Sequence, residues 1–471
     1  MRIVLILIGL LILSCDSERQ RETIVSGIIQ NPTHNHIYLY QSKNVYDTIT
    51  LNSDGSFHSQ IDIKKPQLMV FRHPPEYQTF FMEPGDSLSF RLNTLDFDNS
   101  LMFSGDLSAE NNFLMDMYLM NEADNKLILS YYKIKPEDFI NKTDSIKQLR
   151  IQKLNKLTKE HDFTYDFIEL AKNTINYEFY DMRERYAFLL KKYFPKKSAR
   201  LTDTYFDYRN SVSFNNEQMI NHIGYLRFLD DYIKNIAVDN CIKAKDAEKI
   251  DCYNLNSFHS VHNRLKIADS IFKHKSLKNK FLGRFFAQEF VYASTNKQLD
   301  SALKALNKVD IEKYRHQELK KFAEFHKHFV EGHQVNQMKL KNHNKDTVQL
   351  NQFMNKPFTA LHVWSTSTTE SNRHRFALIK RLRKDYPQIN FIGINIDGNQ
   401  YNQWQRSIKN HNLNRNHELQ ALNTDNTKYY NYYLNRFTLI NQDGKIVDAN
   451  ILKSDSHVKH FIEQNINKKP E

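Results

Sequence analysis

The sequence predicts a multidomain α+β protein with an N-terminal antiparallel β-sandwich, a helical middle region and a C-terminal α/β domain. The chain has 471 residues, enough for two to four domains of about 100–200 residues each. It contains only 11 glycines and 10 prolines, and because hairpin turns favour glycine, it is not all-β throughout. Hydrophobic residues make up 40% and charged residues 25%, which is typical of globular proteins with a sizeable core.

Residues 23–105 are predicted to form the β-sandwich. Short β-branched and aromatic runs are separated by turn signals such as Ser53-Asp54-Gly55. Leu88, Phe90 and Leu92 alternate with polar residues, the pattern of a half-buried strand. The predicted strands lie at 24–29, 37–40, 68–71 and 88–92.

Residues 108–332 are predicted to be helical, with Pro136 and Pro195 as breaks between helices. Apolar residues recur there at helical spacing, for example at Phe281, Phe285 and Phe290. Such aromatic stripes either line a ligand groove or pack between helices, and core packing is the favoured interpretation.

Residues 346–471 are predicted to form one α/β domain, preceded by a polar connecting segment at 333–345. The pattern indicates strand, helix, strand, helix, hairpin and helix in that order. The predicted elements are strands at 360–364, 389–397, 437–440 and 445–447, and helices at 375–383, 404–410 and 458–466.

The first residues indicate export. Met1-Arg2 precedes an apolar run at 3–13, which is shorter than the ~20 residues needed to span a bilayer and fits the apolar part of a signal peptide. The run ends in Ser14-Cys15 and resembles the lipobox of bacterial lipoproteins. That resemblance implies a signal peptide at 1–14, a lipid on Cys15, a tether at 15–22 and a location on the periplasmic face of the bacterial cell envelope. An ordinary cleaved signal followed by a chance cysteine is the alternative.

Three cysteines exclude a disulfide-dense scaffold and a four-cysteine zinc site. After lipidation of Cys15, the remaining thiols are Cys241 and Cys252, which export places outside the reducing cytoplasm. We expect them to form one structural disulfide. A redox pair is the alternative, although their spacing is not the Cys-x-x-Cys of reactive thiols.

The net charge is +12, and the densest basic cluster is at 380–384. It lies on a predicted helix whose apolar side is Phe376, Ile379 and Leu382. A solvated helix face explains this cluster better than nucleic-acid binding, which requires a broader basic stripe. We expect no nucleic acid as a partner.

The C-terminal order of elements resembles the thioredoxin fold, and its details resemble the membrane-tethered thiol–disulfide oxidoreductases of the TlpA/ResA type. Three stretches over roughly a quarter of the chain carry this similarity: 363–366, 392–397 with Trp404, and 435–447. The last is the most specific, because it matches the family pattern without a gap and keeps the hairpin turn in register.

The resemblance implies where the site residues of the family fall in this sequence. The two catalytic cysteine positions fall on Thr368 and Ser371, and the cis-proline position falls on Asn435. All three are substituted, so this domain is expected to keep the fold and to lack dithiol chemistry. Since a cis bond before a residue other than proline costs ~3–4 kcal/mol, the peptide before Asn435 is predicted to be trans.

Three functions remain open at this stage. The first is a redox-inactive binding or scaffold module for a protein or peptide partner in the cell envelope, anchored to the membrane by lipid. The second is a thiol–disulfide oxidoreductase that uses Cys241 and Cys252. The third is a subunit of an envelope assembly, for which the sequence offers only location.

Other chemistries are weaker candidates. Thr368 or Ser371 could serve as a hydroxyl nucleophile with His362, His374 or Glu370, but nothing marks a nucleophile elbow, and a polar helix cap is favoured. The histidine pairs 326/328 and 457/460 lack a third ligand. We therefore expect no metal and no cofactor.

Overall fold

A computed structural model describes residues 22–41, 44–131, 133–244, 251–335, 337–367, 369–422, 426–452 and 458. Helices and several sheets make the protein mixed α/β. The chain divides into two compact units, residues 1–235 and 236–471. The predicted signal peptide and Cys15 lie outside the described residues.

Two four-stranded sheets open the first unit. In one the strand order is β4-β1-β7-β8, and in the other it is β3-β2-β5-β6. The strands are β1 (Thr23–Gln30), β2 (His36–Gln41), β3 (Asn44–Thr50), β4 (Ser56–Ile61), β5 (Gln67–His73), β6 (Glu76–Met82), β7 (Ser87–Asn93) and β8 (Met102–Gly105).

The two sheets pack face to face around an aromatic core. Phe71 of β5 stacks on Phe90 of β7, with ring centroids 4.5 Å apart. Leu88, Phe90 and Leu92 are buried along β7 while their neighbours are not, so the alternation in the sequence corresponds to one face of a sheet.

The prediction of a purely antiparallel sandwich is wrong in one respect, because β1 and β7 pair in parallel. Parallel neighbours need a long crossover between them. Here residues 31–86 supply it, since the chain makes β2 to β6 before it returns beside β1.

Helices form the rest of the first unit, and two of them begin at the prolines that the sequence marks as breaks. Pro136 and Pro195 each occupy a first turn, where a missing N–H costs nothing. The helices are α1 (Phe97–Ser100), α2 (Ser108–Tyr131), α3 (Pro136–Glu160), α4 (Tyr165–Tyr193), α5 (Pro195–Ser198) and α6 (Ile223–Lys243), and the division between the units falls within α6.

Three acids of α4 are buried, a feature that the sequence pattern did not predict. Both carboxylate oxygens of Glu184 accept hydrogen bonds of 2.7 Å from Arg209. Glu178 pairs with Arg227 at 2.8 Å. Burial raises the pKa of Asp181 well above its ordinary value, and Arg185 opposes that rise.

The second unit begins with helices joined by buried phenylalanines. Phe281, Phe285, Phe286 and Phe290 of the predicted stripe are all buried, as core packing requires. The helices are α7 (Phe258–Ile271), α8 (Lys275–Tyr292), α9 (Asn296–Leu306) and α10 (Lys313–His326).

A seven-stranded mixed sheet with the order β10-β9-β13-β12-β11-β14-β15 completes this unit. Its central strands β11 and β12 are almost entirely buried, as expected for a sheet that is covered on both faces. The elements are β9 (Lys339–Lys341), β10 (Thr347–Gln349), β11 (Phe358–Trp364), α11 (Thr369–Asp385), β12 (Ile389–Asn395), α12 (Tyr401–Asn410), β13 (Glu418–Ala421), β14 (Arg436–Asn441) and β15 (Ile446–Leu452).

The connectivity is strand, helix, strand, helix and hairpin, as the sequence predicts for a thioredoxin-like domain. β11 pairs in parallel with β12 and antiparallel with β14. The β14–β15 hairpin turns at Gly444, whose φ of 82° lies in the left-handed region that glycine adopts readily.

Two details differ from the sequence expectation. The segment 333–345, interpreted as a connection, contains β9, which pairs with both β10 and β13 in the main sheet. β13 itself was not predicted, because four residues are too few to show a period.

Except for Val458, the predicted helix at 458–466 lies outside the described residues. Among the described helices, none is both long and apolar enough to cross a membrane.

Candidate functional site

The candidate site lies where β11 ends and α11 begins. Trp364, the last residue of β11, is fully buried and packs edge-on against Phe376, with ring centroids 5.2 Å apart. Its Nε1–H donates to Glu418 Oε2 at 2.9 Å. This side chain fixes the position at which the chain leaves the sheet.

Asp397 joins the ends of two neighbouring strands. Because β11 and β12 are parallel, their carboxyl ends meet at one edge of the sheet, which is where open α/β sheets bind ligands. Ser365 Oγ donates to Asp397 Oδ1 at 2.8 Å, and the Thr366 N–H donates to Oδ2 at 2.6 Å. Asn395 Nδ2 donates to the same Oδ2 at 2.9 Å. The polar turn after β11 is therefore anchored to the adjacent strand.

Arg375 links the first turns of α11 to the residue before β14. Its Nη1 donates to Asn372 Oδ1 at 2.7 Å, and its Nη2 donates to Asn435 Oδ1 at 3.2 Å. Asn372 Nδ2 in turn donates to the carbonyl of Ser365 at 2.7 Å. The planar guanidinium can span two acceptors in this way because its donors form a fixed fork.

The environment of Arg375 is unusual for a cation. The residue is only 7% exposed, and burial lowers the pKa of its guanidinium. Among the described residues no carboxylate lies within salt-bridge distance of it, and both of its hydrogen bonds go to amide oxygens. Hydrogen bonds to a charged donor are stronger than neutral ones, so this side chain organises the surrounding polar groups.

Of the three predicted site positions, the structure describes the contacts of Asn435 alone. Thr368 lies outside the described residues, and Ser371 lies on α11. Asn435 is exposed, immediately precedes β14 and contacts Arg375. The bond before Asn435 is trans, since Pro74–Pro75 is the cis peptide bond of the described chain.

Cys241 and Cys252 are bonded to each other, with Cα atoms 5.7 Å apart. They are 5% and 9% exposed. A buried disulfide offers no thiolate for attack. None of the described contacts joins this pair to residues 364–372 or to Asn435.

Within the described part of the chain, the histidines do not assemble a catalytic or metal site. His362 is fully buried in β11 beside Glu418, 4.0 Å from Oε1, and His374 is exposed on α11. His326 Nε2 donates to the Ala293 carbonyl at 2.9 Å. Across the described ranges, no three His, Cys, Asp or Glu residues are placed to hold a metal ion, and residues 457 and 460 lie outside those ranges.

Several residues of the site escaped sequence reasoning. Asn372, Arg375 and Asp397 were not singled out as site residues, although Asp397 lies at the carboxyl end of a predicted strand, a position that could have marked it. The Arg375–Asn435 contact joins residues 60 positions apart, a separation at which no periodic pattern gives a signal.

Solved structures of bacterial thiol–disulfide oxidoreductases match part of this chain. A Bacteroides vulgatus protein assigned as a thiol–disulfide oxidoreductase is 25% identical, and the match covers 27% of this chain and 85% of that one with a TM-score of 0.23. A thiol–disulfide oxidoreductase from Bacteroides fragilis is 19% identical over 28% of this chain and 98% of that one, with a TM-score of 0.24. A thiol:disulfide interchange protein from a Bacteroides species is 16% identical over 30% and 94% of the two chains, also with a TM-score of 0.24.

No protein-family model and no curated protein matches the chain. The described residues of the site offer hydroxyl, amide, carboxylate and guanidinium groups. Such groups bind ligands by hydrogen bonds and charge.

Proposed function

We propose that residues 346–471 form a thioredoxin-like binding domain without dithiol chemistry of its own, in a protein tethered to the bacterial cell envelope through Cys15. The observation that supports this most is the Asn372–Arg375–Asn435 network. This network fixes hydrogen bonds at the edge of the sheet where the resembling family has its catalytic residues.

The chemical argument concerns positions 368 and 371. Threonine and serine stand there, and a hydroxyl group cannot form a disulfide. Thiol–disulfide exchange proceeds by attack of a thiolate on a disulfide sulfur. A domain with hydroxyls at both positions can bind a polypeptide but cannot pass electrons to it.

The proposed ligand is an extended polypeptide segment of an envelope protein. Asn435 is exposed and precedes the first residues that pair β14 with β11 and β15, a position that suits strand-like pairing with a peptide. The buried Arg375 beneath it holds Asn435 in place.

Fluorescence anisotropy with a labelled, reduced and alkylated insulin B chain tests peptide binding. Thr366→Trp places a bulky side chain in the polar turn, and Thr347→Trp places the same side chain on an exposed position of the distant strand β10. We expect saturable binding that only Thr366→Trp weakens. Equal effects of the two variants, or no binding by the unaltered chain, would contradict the proposal.

Membrane attachment has its own test. In bacterial cells the unaltered chain should incorporate labelled palmitate, and Cys15→Ala should not, because it removes the lipidated thiol. Equal palmitate labelling of the two proteins, or none in either, would refute lipid anchoring through Cys15.

The alternative is an oxidoreductase that uses Cys241 and Cys252. Burial and mutual bonding of these residues count against it, because a redox pair must present a thiolate to its substrate. The third candidate, a subunit of an envelope assembly, requires co-purification of defined partners from detergent-solubilised membranes.

A further inference from the structure

A concave cleft of about 460 Å³ lies beside α11, away from the polar turn after β11. Its lining comes from one side of α11, from residues 410–414 at the carboxyl end of α12 and from the first residue of β13. This volume falls within the range of about 300–1,000 Å³ that is typical of small-molecule sites. Two residues of the basic cluster at 380–384, Lys380 and Arg383, line it.

Two exposed cations stand at the cleft. Arg373 and Lys380 are seven residues apart on α11, two helical turns along one side. No acidic side chain of the described residues pairs with either of them. Their positive charge is therefore available to a ligand.

A third cation, Arg383, lies deeper. Its Nη2 donates to the Phe391 carbonyl at 2.7 Å and lies 3.6 Å from Glu418 Oε1. Its Nε is buried and has no hydrogen-bond acceptor among the described residues. The residue lines the cleft and adds its positive charge to that of the two exposed cations.

Glu418, the acidic residue that lines the cleft, already has partners within the protein. It is 1% exposed, accepts the hydrogen bond of Trp364 Nε1 at 2.9 Å and faces Arg383. Its charge thus compensates Arg383 in part and leaves the outer cations uncompensated.

The opposite wall is preorganised. Asn412 has a φ of 50°, and the N–H groups of Asn412 and Leu413 bond back to the carbonyls of Lys409 and Ile408, which together end α12 in a Schellman motif. The His411 ring packs on Phe376 with centroids 5.1 Å apart. A rigid wall lowers the conformational entropy that the protein must lose when a ligand binds.

We propose that this cleft binds a small organic anion carrying a phosphate or carboxylate group, with its oxyanion held by Lys380 and Arg383 and its remainder near Arg373 and the asparagines of the wall. This site is separate from the proposed peptide site and does not depend on it. The small volume of the cleft favours a small molecule over a nucleic acid, which needs a long basic track.

Inorganic pyrophosphate and glucuronate are suitable probes for the two oxyanion types. Each is titrated into the purified chain, residues 22–471, at constant ionic strength, because exposed charges are screened by salt. The readouts are calorimetry and tryptophan fluorescence. The chain has two tryptophans, and Trp364 connects to the cleft through Glu418.

Arg373→Ala/Lys380→Ala is the test variant, and Lys384→Ala/Lys320→Ala removes the same number of charges from exposed positions outside the cleft. We expect saturable binding of at least one probe and a loss of about tenfold or more in affinity only in the test variant. Preference for pyrophosphate assigns the ligand as a phosphate, and preference for glucuronate assigns it as a carboxylate. No saturable binding up to millimolar concentration, or equal losses in both variants, would overturn the proposal.

Discussion

Arg375 Nη2 lies 3.2 Å from Asn435 Oδ1 and joins α11 to the residue that precedes β14. The contact therefore ties the start of the β14–β15 hairpin to the first turns of α11. A buried cation bound to two amide oxygens is costly to desolvate. The two hydrogen bonds that its rigid guanidinium group donates offset that cost and fix the local geometry.

Replacement of Arg375 tests this relationship. Arg375→Met leaves the acceptors on Asn372 and Asn435 without their donor and is expected to lower the free energy of unfolding by about 1–3 kcal/mol. Arg375→Lys should cost a similar amount, because an ammonium group cannot reproduce the fork. Urea denaturation measures both, and the exposed neighbour Arg373→Met should stay within about 0.5 kcal/mol of the unaltered chain. Full rescue by lysine would show that charge alone matters here.

Gly393 is required by the close approach of Glu418. A Cβ at position 393 would lie 1.8 Å from Glu418 Oε2 and 2.8 Å from His362 Cε1. Gly393→Ala should therefore destabilise the chain by about 1–3 kcal/mol. In a Glu418→Ala background the same substitution should cost less, since the nearest clash is gone. A thermal-denaturation cycle with purely additive effects would refute this explanation.

His326 predicts a pH dependence of stability. Burial lowers its pKa from 6.5 to about 4, against a smaller opposing effect of the Ala293 carbonyl. The carbonyl can only accept, so Nε2 carries the proton and Nδ1 accepts from the Tyr433 hydroxyl at 2.5 Å. The folded chain thus binds fewer protons than the unfolded chain between pH 4 and pH 6.5, and stability is lost as the pH falls through that window.

The size of this effect follows from the two pKa values. Between pH 7 and pH 5 His326 should account for a loss of about 2 kcal/mol in the free energy of unfolding. His326→Gln keeps a polar side chain and cannot titrate, so the stability difference between the two proteins should shift toward the variant at pH 5. A difference that stays constant with pH would contradict the assigned protonation state.

Removal of the disulfide tests its structural role. Cys241→Ser/Cys252→Ser opens a loop with a sequence separation of 11 and should lower the free energy of unfolding by about 3 kcal/mol on the chain-entropy argument. Peptide binding in the anisotropy assay should be unchanged below the new transition. An unchanged free energy of unfolding in the double variant would contradict a structural role for the disulfide.

Local patterns predicted those elements that have a clear period. The alternation of Leu88, Phe90 and Leu92 marks β7, and the apolar runs of β11 and β12 mark the centre of the main sheet. The parallel pairing of β1 with β7 was not predictable, because it depends on where a long crossover returns.

The sequence predicted which positions belong to the candidate site but not which side chains contact each other there. The resemblance points to Thr368, Ser371 and Asn435, but the side chain that reaches Asn435 comes from Arg375, which in the sequence is one more basic residue of an amphipathic helix. The burial of the acids of α4 could not be predicted either. A charged residue in a sequence is expected to be exposed unless its ion-pair partner is known.

We propose that this domain does not exchange electrons, because its predicted catalytic positions carry hydroxyl groups and no sulfur. The most direct measurement is the rate of insulin reduction by dithiothreitol in the presence of residues 22–471, beside the variant Thr368→Cys/Ser371→Cys. We predict that the unaltered chain leaves the buffer rate unchanged and that the variant accelerates reduction. Acceleration by the unaltered chain that alkylation abolishes would contradict the account.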